Sequence, residues 1–150
     1  MAVFGLTGEA DLVIKLIVSV LFGVVLGYAR KGQPVRMRTL ALVSMGSTIF
    51  TIISLAQFSS SVVPDPTRVM AQIVTGIGFL GAGVIWKGQT SMSGLTTAAA
   101  IWTIAGLGML IGMELWITAF AGLLLSFFIL TSKEAEKKII GAEKHARYVP

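Results

Sequence analysis

Long gaps between charged residues constrain this chain more than any other feature. Uncharged stretches run from Leu16 to Ala29, Thr39 to Pro64, Val69 to Trp86, Gly88 to Met113 and Leu115 to Ser132. A helix needs about 20 mostly apolar residues to cross a bilayer core. With polar ends trimmed, five spans remain, near residues 12–29, 40–58, 66–86, 94–112 and 115–131. The expected fold is therefore an all-α integral membrane protein, a five-transmembrane-helix bundle over 1–131 with a short charged tail over 132–150. Only Met113 and Glu114 separate the last two spans, and one helix through both would overshoot any membrane. A tight helical hairpin is expected there.

Composition supports lipid as the solvent. Charged residues make up 13% of the chain, against about 25% in soluble domains, and the mean hydropathy is +0.85. An ordinary water-soluble enzyme is excluded on that balance, because so few charges would leave large apolar patches in water. With no Cys and one His, disulfides, thiolate metal sites and most zinc chemistry are excluded as well. The spans hold no paired carboxylates and no nucleophile beside a base, so no enzymatic activity is expected. The net charge of +5 lacks a basic face with interleaved aromatics, so nucleic acid is not an expected partner.

Basic residues give the orientation. Arg30, Lys31, Arg36 and Arg38 occupy the first loop, Lys87 the third, and Lys133, Lys137, Lys138, Lys144 and Arg147 the tail, against Arg68 alone in the opposite loops. By the positive-inside rule the N-terminus lies outside and the C-terminus in the cytoplasm, as in a multi-pass protein of the cell membrane. The first span follows acidic Glu9 and Asp11 and lacks a small-residue cleavage site, so it is expected to remain rather than be removed as a signal peptide. Lys15, near the start of that span, is expected to snorkel to the outer headgroups. In the tail, Glu134 and Lys138 stand four apart on a solvated face, and His145 reads as a surface residue.

Helices in lipid associate through small residues. Gly23 and Gly27 in the first span, and Gly108 and Gly112 in the fourth, have the spacing of packing grooves that could also join two copies. Gly76, Gly78, Gly81 and Gly83 crowd the third span and imply either close backbone contact or a locally unwound helix beside a cavity. Ser44, Ser47, Thr48, Thr51, Ser54 and Gln57 recur every three or four residues on one stripe of the second span. With Gln72 and Thr75 of the third span, and Thr96 and Thr103 of the fourth, they are expected to share one interior. That interior is either a set of interhelical hydrogen bonds or a hydrophilic path. Between spans, Asp65 can cap the third helix, with Pro66 at its first position and Arg68 within reach.

Asp65-Pro66-Thr67-Arg68, then Gln72-Ile73-Val74-Thr75-Gly76-Ile77-Gly78-Phe79-Leu80-Gly81-Ala82-Gly83-Val84-Ile85, then Gly94-Leu95-Thr96-Thr97-Ala98-Ala99 with Trp102, resembles the membrane domain of the MgtC/SapB family. Arg38-Thr39 and Leu42-Val43 fit it too, and the likeness covers residues 12–130. The family commonly has Glu-Arg where this chain has Ala29-Arg30, and a His where it has Leu40; roles resting on that Glu or His do not transfer. Many relatives add a C-terminal soluble domain, and the expectation here is the membrane domain alone.

The resemblance implies a bacterial or archaeal plasma-membrane protein linked to growth in scarce magnesium, in a family associated with virulence and with restraint of the F-type ATP synthase. Mg2+ prefers octahedral oxygen ligation, usually with carboxylates, and the spans hold none. Outer carboxylates Glu9, Asp11, Asp65 and Glu114 could gather hydrated cations, with Asp65 the candidate ligand, but no cofactor is required and Mg2+ enters only as ligand or signal. The leading expectation is a homo-oligomer, with a dimer as the simplest form, that regulates another membrane complex through the cytoplasmic basic loop (Arg30, Arg36, Arg38, Thr39) and the glycine grooves. The competing one is a conduit lined by Ser47, Thr51, Gln72, Thr75, Thr96, Thr97 and the Gly76–Gly83 backbone, with Asp65 and Arg68 at its mouth. A third is a scaffold whose basic tail holds anionic lipid.

Overall fold

The computed structural model describes residues 8–30, 35, 37–58, 65, 67–88 and 92–132. Arg36, Pro66, the side chain of Gln57 and the tail beyond Ser132 lie outside the described residues. Five helices stand among the described residues: α1 (Gly8–Tyr28), α2 (Met37–Phe58), α3 (Thr67–Gly83), α4 (Leu95–Gly112) and α5 (Trp116–Thr131). By length and composition, α1, α2 up to Ala56, and α4 could each cross a membrane; α5 is a shorter apolar helix.

Local chemistry sets the helix ends. Glu9 and Asp11 occupy the first turn of α1, where carboxylates favour the positive end of the helix dipole. Asp65 Oδ1 accepts from the Thr67 backbone N–H at 3.0 Å, the bond an N-cap side chain makes. The third helix stops at Gly83, short of the expected Trp86, because β1 (Trp86–Lys87) pairs antiparallel with β2 (Met92–Ser93). Gly94 then turns into α4 with φ 87°, in the left-handed region, and a Cβ there would fall 2.9 Å from the Val84 carbonyl carbon. Only glycine suits that corner.

The α4–α5 connection is a Schellman closure. The Leu115 N–H reaches the Leu110 carbonyl at 2.9 Å, and the Glu114 N–H reaches that of Ile111 at 3.0 Å. Glu114 holds the left-handed position, φ 62°, which glycine usually fills.

The helices assemble around α2 and α4. A Cβ at Gly23 would lie 2.5 Å from the Ala41 nitrogen and one at Gly27 2.6 Å from the Met37 nitrogen, so α1 and α2 run antiparallel in backbone contact. Gly108 meets Ser44 and Ser47, and Gly112 meets Thr51, so α2 and α4 run parallel. Phe22, Leu26, Leu40, Ile101, Ile104 and Ile111 form the apolar core, and the rings of Phe22 and Phe120 meet edge-on with centroids 5.1 Å apart. The outward faces are apolar too: Ile117 is 87% exposed and Phe79 80%, as suits helices solvated by lipid.

Candidate functional site

The polar stripe of α2 faces inward. Ser44, Ser47, Thr48, Thr51 and Ser54 are all buried. Thr48 Oγ1 donates to the Gly108 carbonyl of α4 at 2.8 Å and stands 3.0 Å from that of Ser44; Thr51 Oγ1 donates to the Ser47 carbonyl at 2.8 Å. The Ser44 and Ser47 hydroxyls are buried without a partner.

Two cations close the ends of this interior. Lys15 is only 2% exposed; its Nζ lies 2.6 Å from Glu114 Oε1 and 3.2 Å from Asp11 Oδ2. Lys15 therefore does not snorkel to the headgroups. Two nearby carboxylates hold it inside, and a bond to Glu114 compensates the uncommon backbone at that residue. At the other end Arg30 is 4% exposed. It donates from Nη1 to the Thr96 carbonyl at 3.2 Å and from Nη2 to the Thr97 hydroxyl at 2.5 Å, while Nε has no partner. Desolvation pulls the Arg30 guanidinium below its ordinary pKa.

The third helix departs from expectation. Gln72 and Thr75 are exposed, and Thr75 Oγ1 returns to its own helix at the Ala71 carbonyl, 3.1 Å. Thr103 of α4 likewise bonds the Ala99 carbonyl at 2.8 Å. The buried polar interior is thus built by α1, α2 and α4; Thr75 bonds within its own helix, while Gln72 stands with Ser47 on the wall of a groove between α2 and α3. The glycine cluster does not unwind α3. Gly81 meets Ala98 of α4, whereas Gly76, Gly78 and Gly83 face open space. An apolar groove of about 700 Å3 lies between α2 and α3, bordered by Thr39, Leu42, Phe50, Gln72, Gly76 and Leu80.

Asp65, Arg68, Arg38 and Thr39 are exposed. Asp65 Oδ1 accepts from both the N–H and, at 2.5 Å, the hydroxyl of Thr67. These bonds, led by the hydroxyl, hold its carboxyl below the usual carboxylate range, with a smaller contribution from Arg68. Among the described residues no three Asp, Glu, His or Cys side chains gather as a metal site. Sequence spacing could not reveal the burial of Lys15 and Arg30, because Lys15 and Glu114 are 99 positions apart and Arg30 and Thr97 are 67 apart.

Residues 16–139 match the MgtC family. The chain is 40% identical to protein SapB of Bacillus subtilis over 134 residues, covering 84% of this chain and 56% of that protein. It is 37% identical over 128 residues to the putative magnesium transporter YhiD of Escherichia coli K12, covering 81% and 60%. Against protein MgtC of Salmonella typhimurium the identity is 35% over 144 residues, covering 91% and 61%. The chain thus spans about three fifths of the length of these relatives. No solved structure matches it. With the family match covering residues 16–139 and relatives 35–40% identical over most of its length, the chain belongs to the MgtC family.

Proposed function

We propose that this chain is a five-span protein of the cell membrane, N-terminus outside, that serves magnesium homeostasis by regulating another membrane complex, the F-type ATP synthase being the first candidate. The helix directions support the threading. Lys15 of α1 meets Glu114 beyond the end of α4, and Arg30 beyond α1 meets the start of α4, as five alternating crossings require.

One observation carries the choice of regulator over conduit: the buried polar groups among the described residues include two cations, Lys15 and Arg30, and no carboxylate. A divalent cation needs oxygen ligands to replace its waters, and it is repelled by a guanidinium with no carboxylate in ion-pair contact among the described residues. The competing reading draws on the relative named a putative magnesium transporter and on the unpartnered Ser44 and Ser47 hydroxyls. Purified protein in vesicles loaded with a magnesium indicator tests it. The expected signal equals that of protein-free vesicles; magnesium entry that disappears in Asp65→Asn and Thr96→Ala would overturn the regulator. Photo-crosslinking from Phe79 and Ile117 in cells is expected to recover a membrane subunit of the ATP synthase. The chain has no Cys, so single cysteines test the threading. An impermeant maleimide is expected to label Thr67→Cys in intact cells and Gly88→Cys only after permeabilisation.

A further inference from the structure

The groove between α2 and α3 has the length of one membrane leaflet. Its walls run from Thr39 to Phe50 on α2 and from Val69 to Leu80 on α3. Each wall advances eleven positions, about 16 Å at 1.5 Å per residue. Half of a hydrocarbon core of about 30 Å is about 15 Å. A transmembrane helix from a second copy would need a seam through the whole core, whereas one acyl chain needs only this depth. Apart from Thr39, Ser47 and Gln72 the lining is apolar. Gly46 and Gly76 both line the groove, and nothing lies within 4 Å of a Cβ built at either, so the space between the helices is open there.

Polar groups stand in sequence where α3 begins. Arg68 precedes Gln72 by one helical turn, about 6 Å along the axis, and both are exposed. Hydrocarbon offers the Gln72 amide no partner, but the ester carbonyl of a phospholipid accepts from an amide N–H. The phosphate of the same molecule lies on the headgroup side of that ester and suits a guanidinium fork. Asp65, also exposed, adds a carboxylate three positions before Arg68. Both residues are described, and they form no ion pair with each other within 4.0 Å. Separate charges of opposite sign complement a zwitterionic headgroup, whereas a net anion would be repelled by Asp65.

We propose that the groove between α2 and α3 holds one molecule of phosphatidylethanolamine: phosphate at Arg68, ammonium at Asp65, an ester carbonyl at the Gln72 amide, and one acyl chain past Gly46 and Gly76. The site rests on the threading proposed above, in which α3 crosses the membrane and begins at its surface, and it is independent of the regulatory role.

Native mass spectrometry of the whole chain, released from maltoside micelles, tests this by counting bound lipid during titration with phosphatidylethanolamine, phosphatidylglycerol or phosphatidylcholine of equal chain length. Phosphatidylethanolamine is expected to saturate at one per chain, at a concentration about fivefold or more below the other two. Arg68→Gln is expected to raise the half-saturating concentration about tenfold, and Gln72→Leu about threefold. Gly46→Leu fills open space without displacing backbone and is expected to abolish saturation. Lys87→Gln, exposed and off the groove, is expected to change it less than about twofold. No saturation, equal retention of phosphatidylglycerol, or indifference to both Arg68→Gln and Gly46→Leu would overturn the site. A lipid-free dimer that Gly46→Leu dissociates would also overturn it, seating a second copy in the groove. Maleimide labelling of Thr67→Cys reads the threading separately. Labelling in intact cells without lipid saturation overturns the site alone; labelling only after permeabilisation, with saturation intact, upholds the site and places it in the opposite leaflet.

Discussion

Alanine at Gly23 and alanine at Gly76 are the same chemical change with opposite expected signs. A Cβ at Gly23 would lie 2.5 Å from the Ala41 nitrogen and 2.6 Å from the Leu40 carbonyl carbon, both backbone atoms that no side-chain rotation can remove. Carbon contacts settle near 3.5–4.0 Å, so α1 and α2 must part by roughly 1 Å, a gap that forfeits a quarter to a half of each contact along the seam. Overpacking of this kind costs about 2–3 kcal/mol, a fall of about 5–10 °C in the unfolding midpoint of a chain this size. At Gly76 nothing lies within 4 Å of the added Cβ. There the gain in helix propensity, at most about 1 kcal/mol, is unopposed. Midpoints of Gly23→Ala, Gly76→Ala and Gly78→Ala, measured side by side in maltoside micelles, decide the matter. A loss at Gly76 and Gly78 as large as that at Gly23 would refute the reasoning, because the space beside those glycines would then be filled.

The ion triad is open to a double-mutant cycle. Glu114→Gln leaves Lys15 buried with Asp11 alone and is expected to destabilise by about 3 kcal/mol, while Lys15→Met with Glu114→Gln costs less than the sum; additivity within about 0.5 kcal/mol would dissolve the pair. Thr48→Val removes the bond to the Gly108 carbonyl and is expected to cost about 1 kcal/mol, read as a lower midpoint with the helix content unchanged. For Asp65, a carbon-detected titration is expected to give a pKa below the ordinary 3.9 or so, moving back up in Thr67→Val. Because the folded pKa is depressed, the contribution of this cap is present above the unfolded pKa and is lost as pH falls through the folded one; a titration at or above the ordinary value would remove the cap.

Much of the architecture is legible in local sequence, because lipid enforces length and polarity on each span separately. The gaps between charges located five helices whose ends fall close to those observed, and the spacing of Ser44, Ser47, Thr48 and Thr51 marked the buried stripe of α2. The end of α3 was not legible, since a two-residue ladder with Met92–Ser93 ended it. The candidate site was legible only in part. Thr97 lay within a recognisable string, but its bond to Arg30 depends on how α1 packs against α4.

Sequence alone determined the apolar character of this protein, the rough limits of the five helices among its described residues, and its family, because each follows from the order of side chains along one chain. Tertiary structure decided what those side chains meet. Gly23 and Gly76 are the same residue, yet one touches another backbone and the other faces open space. Lys15 and Arg38 are both basic residues near helix ends, yet one is enclosed with two carboxylates and the other is exposed. Composition and periodicity assign a residue to a face of its own helix, and only the crossing of helices distant in sequence determines what lies against that face.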